Sequence, residues 1–144
     1  MTTVEIRARP PMNAAITLLE RHSLPASDLT HSHMEHFFFA GSDVEPTGIV
    51  GLEFCGADAL LRSLVVATEA RGSGVGAALV SHAESYARAR GARSVYLLTT
   101  TAEAFFNNRG YTPTVRASAP PAIRATREFA DLCPGTSAFM VKRL

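Results

Sequence analysis

Apolar and polar positions alternate from Thr2 to Arg7, with Val4, Ile6 and the following Ala8 in step, which predicts a half-buried strand broken by Pro10-Pro11. From Met12 to His22 the spacing changes, and Ile16 and Leu19 predict a helix that Ser23-Leu24-Pro25 stops. Ser27 or Asp28 is placed to cap a short second helix. Glu35 to Ala40, with three consecutive phenylalanines, reads as a buried strand, and Gly41 to Pro46 as a loop. Thr47 to Cys55 and Ala59 to Val66 are β-rich runs separated by Gly56-Ala57-Asp58, the pattern of an antiparallel hairpin.

From Gly74 to Arg90 the stripe Val75, Leu79, Ala83, Tyr86 and Ala87 predicts the clearest helix in the chain, with Ser81, Glu84, Ser85 and Arg88 facing away and Gly91 ending it. Ser94 to Thr99 follows as a strand, Ala102 to Asn108 as a short helix stopped by Gly110, and Tyr111 to Arg116 as another strand. Pro120-Pro121 opens a helix expected to run through Ala130, since proline is tolerated in the first turn, and Ser137 to Lys142 closes the chain as a strand. Hairpins early and strand-helix-strand units late predict one α/β domain over residues 1–144: a mixed, mostly antiparallel sheet flanked by helices.

Composition changes this picture little and limits the function. A chain of 144 residues, 47% hydrophobic, fills one core. With 14 basic and 13 acidic residues there is no charge surplus to drive binding to nucleic acid. No apolar run approaches the roughly 20 residues that cross a bilayer. Two cysteines, Cys55 and Cys133, and the lack of a leader-like opening lead to the expectation of a reducing cytoplasm.

The chemistry is concentrated in Leu64-Val65-Val66, Arg71-Gly72-Ser73-Gly74-Val75-Gly76-Ala77, where a strand passes through a glycine-rich turn into the strongest helix. Glycines there permit unusual backbone angles, so successive N–H groups can face an anion at the positive end of the helix; a pyrophosphate fits. Gly72-x-Gly74-x-x-Ala77 matches the dinucleotide fingerprint on paper. That motif, however, needs a tight turn directly after its strand and a second βαβ half, and neither is offered here.

Arg71-x-x-Gly74-x-Gly76, five residues after Val66, instead resembles the acyl-CoA signature of the GNAT N-acetyltransferase superfamily. Leu64-Val65-Val66 is similar to that family's central strand, and Ala102-x-x-Phe105-Phe106-x-x-x-Gly110-Tyr111 to its second block. The resemblance covers nearly the whole chain. It implies acetyl-CoA as donor, with residues 64–66 and 71–77 and Phe106 as cofactor contacts, and a small-molecule amine as acceptor. Leu61 to Leu64, Tyr96 to Ala102, and Ala122 to Phe129 with Leu132-Cys133-Pro134 look like the N-acetyltransferases of bacterial arsenic-resistance operons. That closer likeness implies detoxification of an amine, an arsenical amino acid among the candidates, and the family implies a homodimer.

Phe106 occupies the position where the family commonly has a proton-donating tyrosine. Either another hydroxyl acts, with Tyr111 and Thr100 as the leading candidates beside Tyr96, Thr99 and Thr101, or the thiolate leaves to solvent. A third outcome is an acyl-CoA or arsenical sensor without turnover. Arg62 is a permanent cation inside an apolar strand, where an unpaired charge is expensive. Two readings stand side by side: a structural pair with Glu53 across the hairpin, or a bidentate contact to an anionic group of the acceptor. Side chains at 60, 62 and 64 are expected on one face, which brings Arg62 towards the acceptor. Phe37 is a candidate pocket wall and Arg124 a candidate acceptor contact, against core and solvated-face readings respectively. The spacing of His31, His33 and His36 is compatible with a metal, as are the two cysteines, but three histidines on a loop approaching a strand are more often partly exposed polar residues, and no metal site is expected.

Overall fold

The computed structural model describes residues 4–133 and 135–144. Thr2 and Thr3 of the expected first strand, and Pro134 of the arsenic-associated stretch, lie outside the described residues. Among the described residues one sheet has the order β1-β2-β3-β4-β5-β7-β6. Its strands are β1 (Arg7–Ala8), β2 (Phe37–Gly41), β3 (Pro46–Cys55), β4 (Asp58–Val66), β5 (Ser94–Thr99), β6 (Thr112–Pro113) and β7 (Ala138–Arg143). Neighbours are antiparallel except β4 and β5. The expected single α/β domain with a mixed, mostly antiparallel sheet is the fold observed.

The α-helices are α1 (Met12–Arg21), α2 (Val75–Ala89), α3 (Glu103–Asn107) and α4 (Pro121–Arg124). Val75, Leu79, Val80, Ala83 and Ala87 make the buried stripe of α2, which packs with Phe38, Val50, Leu52, Leu61 and Leu97 on one face of the sheet. The other face carries two clusters. Phe37, Phe39, Ile49 and Val65 lie under α1, and Leu60 and Phe139 lie with Ile123 of α4. The three phenylalanines are all buried because successive strand residues serve opposite faces. Gly51 is required beneath them: a Cβ there would sit 2.2 Å from the Phe37 ring.

Where the structure departs from the sequence reading, tertiary contacts are the cause. No helix starts at Ser27 or Asp28; a 3-10 turn forms later, at His33–His36, and the Asp28 carboxylate is engaged by Arg62. The first strand is reduced to two residues and so is the one expected at Tyr111 to Arg116, which gives way to a 3-10 turn at Arg116–Ser118. The helix expected from Pro120 through Ala130 splits into α4 and a π-helical turn at Glu128–Leu132.

Two irregularities of β4 shape the rest. It pairs with β5 only through Asp58–Leu60 against Ser94–Tyr96 and then diverges. It also bulges against β3: Gly51 faces Arg62 but Ile49 faces Val65, so three steps of β4 match two of β3, and Ser63 has φ of 59°. The extra residue resets the alternation. Leu61 and Leu64 therefore share the α2 face, while Arg62 lies on the opposite face with Leu60, so the expectation that 60, 62 and 64 share a face does not hold.

Candidate active site

Between the diverging strands lies a cleft of about 920 Å³. Leu64, Val65 and Val66 form its β4 wall, Phe105 and Phe106 of α3 close one side, and Arg71, Gly72, Gly74, Val75, Gly76 and Ala77 form its head. The first amide of α2 with a helical acceptor outside the element is Ala78 N–H, bonded to Gly74 O, and no side chain caps the helix. The N–H groups of Val75, Gly76 and Ala77 are thus left at the positive end of the helix dipole, facing the cleft. Gly72 and Gly74 have φ of 82° and 86°. A Cβ at either would meet nothing within 4 Å, so glycine is demanded by backbone angle alone, and the space above it is open for a ligand. Ser73 departs from expectation: its hydroxyl turns back to the Ala70 carbonyl and does not line the cleft. Arg71 leans along the wall, its Nε donating to Val66 O at 3.3 Å.

The opposite end of the cleft is built around Arg62, whose side chain is 1% exposed. Its Nη1 donates to Asp28 Oδ2 at 2.5 Å and to Glu53 Oε2 at 2.8 Å, and its Nη2 to Asp28 Oδ1 at 2.8 Å. Nη2 also pairs with Glu128 Oε1 at 2.9 Å, and Nε donates to Ser63 Oγ at 3.0 Å. Four of the five guanidinium N–H groups are spent on hydrogen bonds, and Glu128 stands as an ion-pair partner beside Nη2. The structural pair with Glu53 is present, and a bidentate contact to an acceptor has no pair of donors left. Arg124 does not line the cleft; its Nε and Nη2 hold the carbonyls of Ala119 and Ala117 at 3.1 and 2.9 Å. Phe37 is fully buried under α1 and walls no pocket.

Burial pushes the Asp28 carboxyl up, but the Arg62 hydrogen bonds and charge outweigh it and hold it below the usual range. For Glu128 burial wins over Arg62, and its proton is held more tightly than usual. Cys133 donates its thiol to Glu128 Oε2 at 2.8 Å, and burial with that hydrogen bond pushes it up to about 12; Cys55 is pushed up to about 11, chiefly by burial. Neither thiol is a thiolate at neutral pH. Asp28, His33 and Glu53 bring potential ligand atoms within 4.8 Å of one another, but the Arg62 guanidinium already bridges the two carboxylates that a cation would need.

The two candidate proton donors separate. Thr100 lines the cleft. Tyr111 does not: it is 1% exposed, packs edge-on behind Phe106, and donates its hydroxyl to Glu84 Oε2 at 2.9 Å. Burial and the Glu84 charge raise its pKa further. Tyr111→Phe should therefore leave turnover unchanged, where loss of a general acid costs about a hundredfold or more, while lowering stability by about 1–2 kcal/mol through the lost hydrogen bond. Steady-state rates and thermal melts of the same preparation check both halves.

Several residues of the site escaped the sequence reading. Asp28 had a signal only as a helix cap. Glu128 and Ser137 had none, because the turns that bring them to Arg62 and the cleft are not periodic.

A sequence profile described as the acetyltransferase (GNAT) family matches residues 5–111. Among solved structures, N-acetylglutamate synthase from Neisseria gonorrhoeae, complexed with coenzyme A and N-acetyl-glutamate, superimposes with a TM-score of 0.81 at 23% identity. That match covers 100% of this chain and 36% of the synthase, so the chain spans about a third of the length of that relative. A Mycobacterium tuberculosis protein in complex with CoA gives 0.78 at 19% identity, covering 97% of this chain and 99% of the other. A GNAT-family acetyltransferase from Staphylococcus aureus Mu50 gives 0.77 at 14% identity, with 99% of each chain covered. At these identities the likeness speaks for the fold. No curated protein sequence matches the chain.

Proposed function

Since the chain belongs to the acetyltransferase (GNAT) family, we propose that it transfers the acetyl group of acetyl-CoA to the amine nitrogen of a small molecule. The observation that carries this reading is the uncapped head of α2, with two left-handed glycines, opening on the gap between β4 and β5. Pyrophosphate oxygens would accept the free amides of Val75, Gly76 and Ala77. The unpaired edge of β4 beyond Leu60 offers backbone groups to the pantetheine arm, and Phe106 gives the thioester an apolar wall. Of the two leading hydroxyls expected to serve the departing thiolate, Thr100 is the one that lines the cleft, with Thr99 and Thr101 beside it.

In the transfer, the amine lone pair forms the new C–N bond at the thioester carbonyl. The C–S bond breaks with its electron pair on sulfur, and one nitrogen proton ends on the thiolate. Products are an amide and free CoA thiol. The acceptor is read as a small amine, and the likeness of residues 61–64, 96–102, 122–129 and 132–134 to arsenic-resistance enzymes supports an amine-bearing arsenical as one such compound. An anion gripped by Arg62 is no part of the reading, because its donors are taken. Cytoplasmic location rests on the cysteine usage and a homodimer on the resemblance; among the described residues no helix is long and apolar enough to cross a membrane.

Phe106 in the usual tyrosine position favours one competing reading, a sensor that binds acyl-CoA without turnover. Free-thiol release from acetyl-CoA over a panel of amines distinguishes the two. Release above the hydrolysis background is expected, and CoA binding with no release from any amine would establish the sensor.

A further inference from the structure

We infer that Glu128 and Ser137 form the nitrogen-binding end of the cleft, and that this end takes a primary ammonium with no anion on the adjacent carbon. The inference rests on the acetyltransferase reading and names the acceptor class for the same site.

Two independent observations carry it. The first is charge. Asp28, Glu53 and Glu128 surround the single guanidinium of Arg62, so the cluster keeps an excess of negative charge even after the ion pairs are made. Glu128 is the carboxylate of the three that lines the cleft. Its Oε1 is ion-paired with Arg62 and its Oε2 accepts the Cys133 thiol, and each retains a lone pair for a further donor. An anion beside the amine would instead meet this carboxylate with no pair of Arg62 N–H donors free to answer it.

The second is an orphaned hydroxyl. Ser137 is 6% exposed and lines the cleft, yet its Oγ has no hydrogen-bond partner among the described residues. A buried hydroxyl without a partner is costly, and native structures rarely carry one without a reason. Ser137 stands one residue before β7, two residues from Phe139. Strand alternation therefore directs it to the sheet face that Phe139 shares with Leu60, the face of Arg62 and away from α2. An ammonium N–H is the partner the Ser137 hydroxyl lacks and a further donor for which the Glu128 carboxylate has lone pairs left. The cation next to this wall, Arg116, is held on the Ser137 carbonyl at 3.3 Å and is not a cleft residue.

The proton balance follows. The ammonium gives one proton to the Glu128 carboxylate, and the freed lone pair attacks the thioester carbonyl. The second proton ends on the sulfur as the C–S bond breaks, and Glu128 returns its proton to solvent. Amide, thiol and one released proton result.

The test pairs amines with their amino acids: ethanolamine with serine, phenethylamine with phenylalanine, and putrescine with ornithine, each with acetyl-CoA and thiol detection. The amine of each pair should exceed its amino acid at least tenfold in kcat/KM. Ser137→Ala should raise the amine KM about tenfold with kcat and CoA affinity held. Its melting temperature should stay level or rise, since the change deletes an unpaired buried hydroxyl. Amino acids accepted as well as the amines, or an unchanged KM in Ser137→Ala, overturn the inference and leave the acetyltransferase reading standing. No thiol from any amine, with CoA still bound, overturns that reading and this inference with it. With the inference upheld by that comparison, an amino-acid arsenical with a free α-carboxylate ranks below its amine counterpart.

Discussion

Gly74→Glu should weaken CoA binding at least a hundredfold, equivalent to about 2.7 kcal/mol or more. Gly74 has φ of 86°, a region in which a side chain strains the backbone by about 1–2 kcal/mol. The larger effect is on the ligand. A carboxylate projected into the open space above Gly74 competes for the amides that would hold pyrophosphate and repels its charge. It would sit at the positive end of α2, where a negative side chain favours the helix, so the melting temperature should fall less than the strain alone implies. Gly74→Ala separates the contributions by keeping the strain without the charge, and should lose much less affinity. Calorimetry decides: full CoA affinity in Gly74→Glu would remove the turn from the cofactor site.

Arg62→Ala should cost about 3–5 kcal/mol of stability, because it strands buried carboxylates that the guanidinium now neutralises. The pH dependence gives the loss a signature. In the parent, the Asp28 pKa is depressed by folding, so its contribution is present above the unfolded value and is lost as pH falls through the folded one. In the variant the carboxylates face one another without a cation, which raises their folded values. Their burden is then greatest at neutral pH and is relieved as pH falls. The melting temperature of Arg62→Ala should accordingly gain more on mild acidification than that of the parent, where the lowered Asp28 and the raised Glu128 pull in opposite directions, and adding Glu53→Gln should recover part of the loss. An unchanged melt would show that the network carries no stability.

The two ends of the cleft were unequally legible in the sequence. The cofactor end is local. Glycines at 72, 74 and 76 and the stripe from Val75 to Ala87 lie within one stretch, and the period of an amphipathic helix announces itself without tertiary knowledge. The hairpin pairing of Glu53 with Arg62 was readable for the same reason, since nine residues and a tight turn join them. Asp28 and Glu128 come to Arg62 from loops far along the chain, where no periodicity fixes the approach. Tyr111 shows the reverse error: the motif located it correctly beside Phe106, but only packing reveals that its hydroxyl turns to Glu84 and away from the cleft.

The inserted residue at Ser63 divides β4 into halves of opposite phase. Upstream, even-numbered side chains face the carboxylates; downstream, it is the odd-numbered Val65 that shares their face, while Leu64 and Val66 turn to α2. A substitution at 60 or 62, on the side of the carboxylates, thus leaves the phasing of the cofactor half untouched, and the converse holds. Deleting Ser63 would rotate one half against the other and force Leu64 and Val65 to exchange environments. The strand behaves as two independently adjustable modules joined by one residue, and the most drastic single edit available to it is a deletion at that joint.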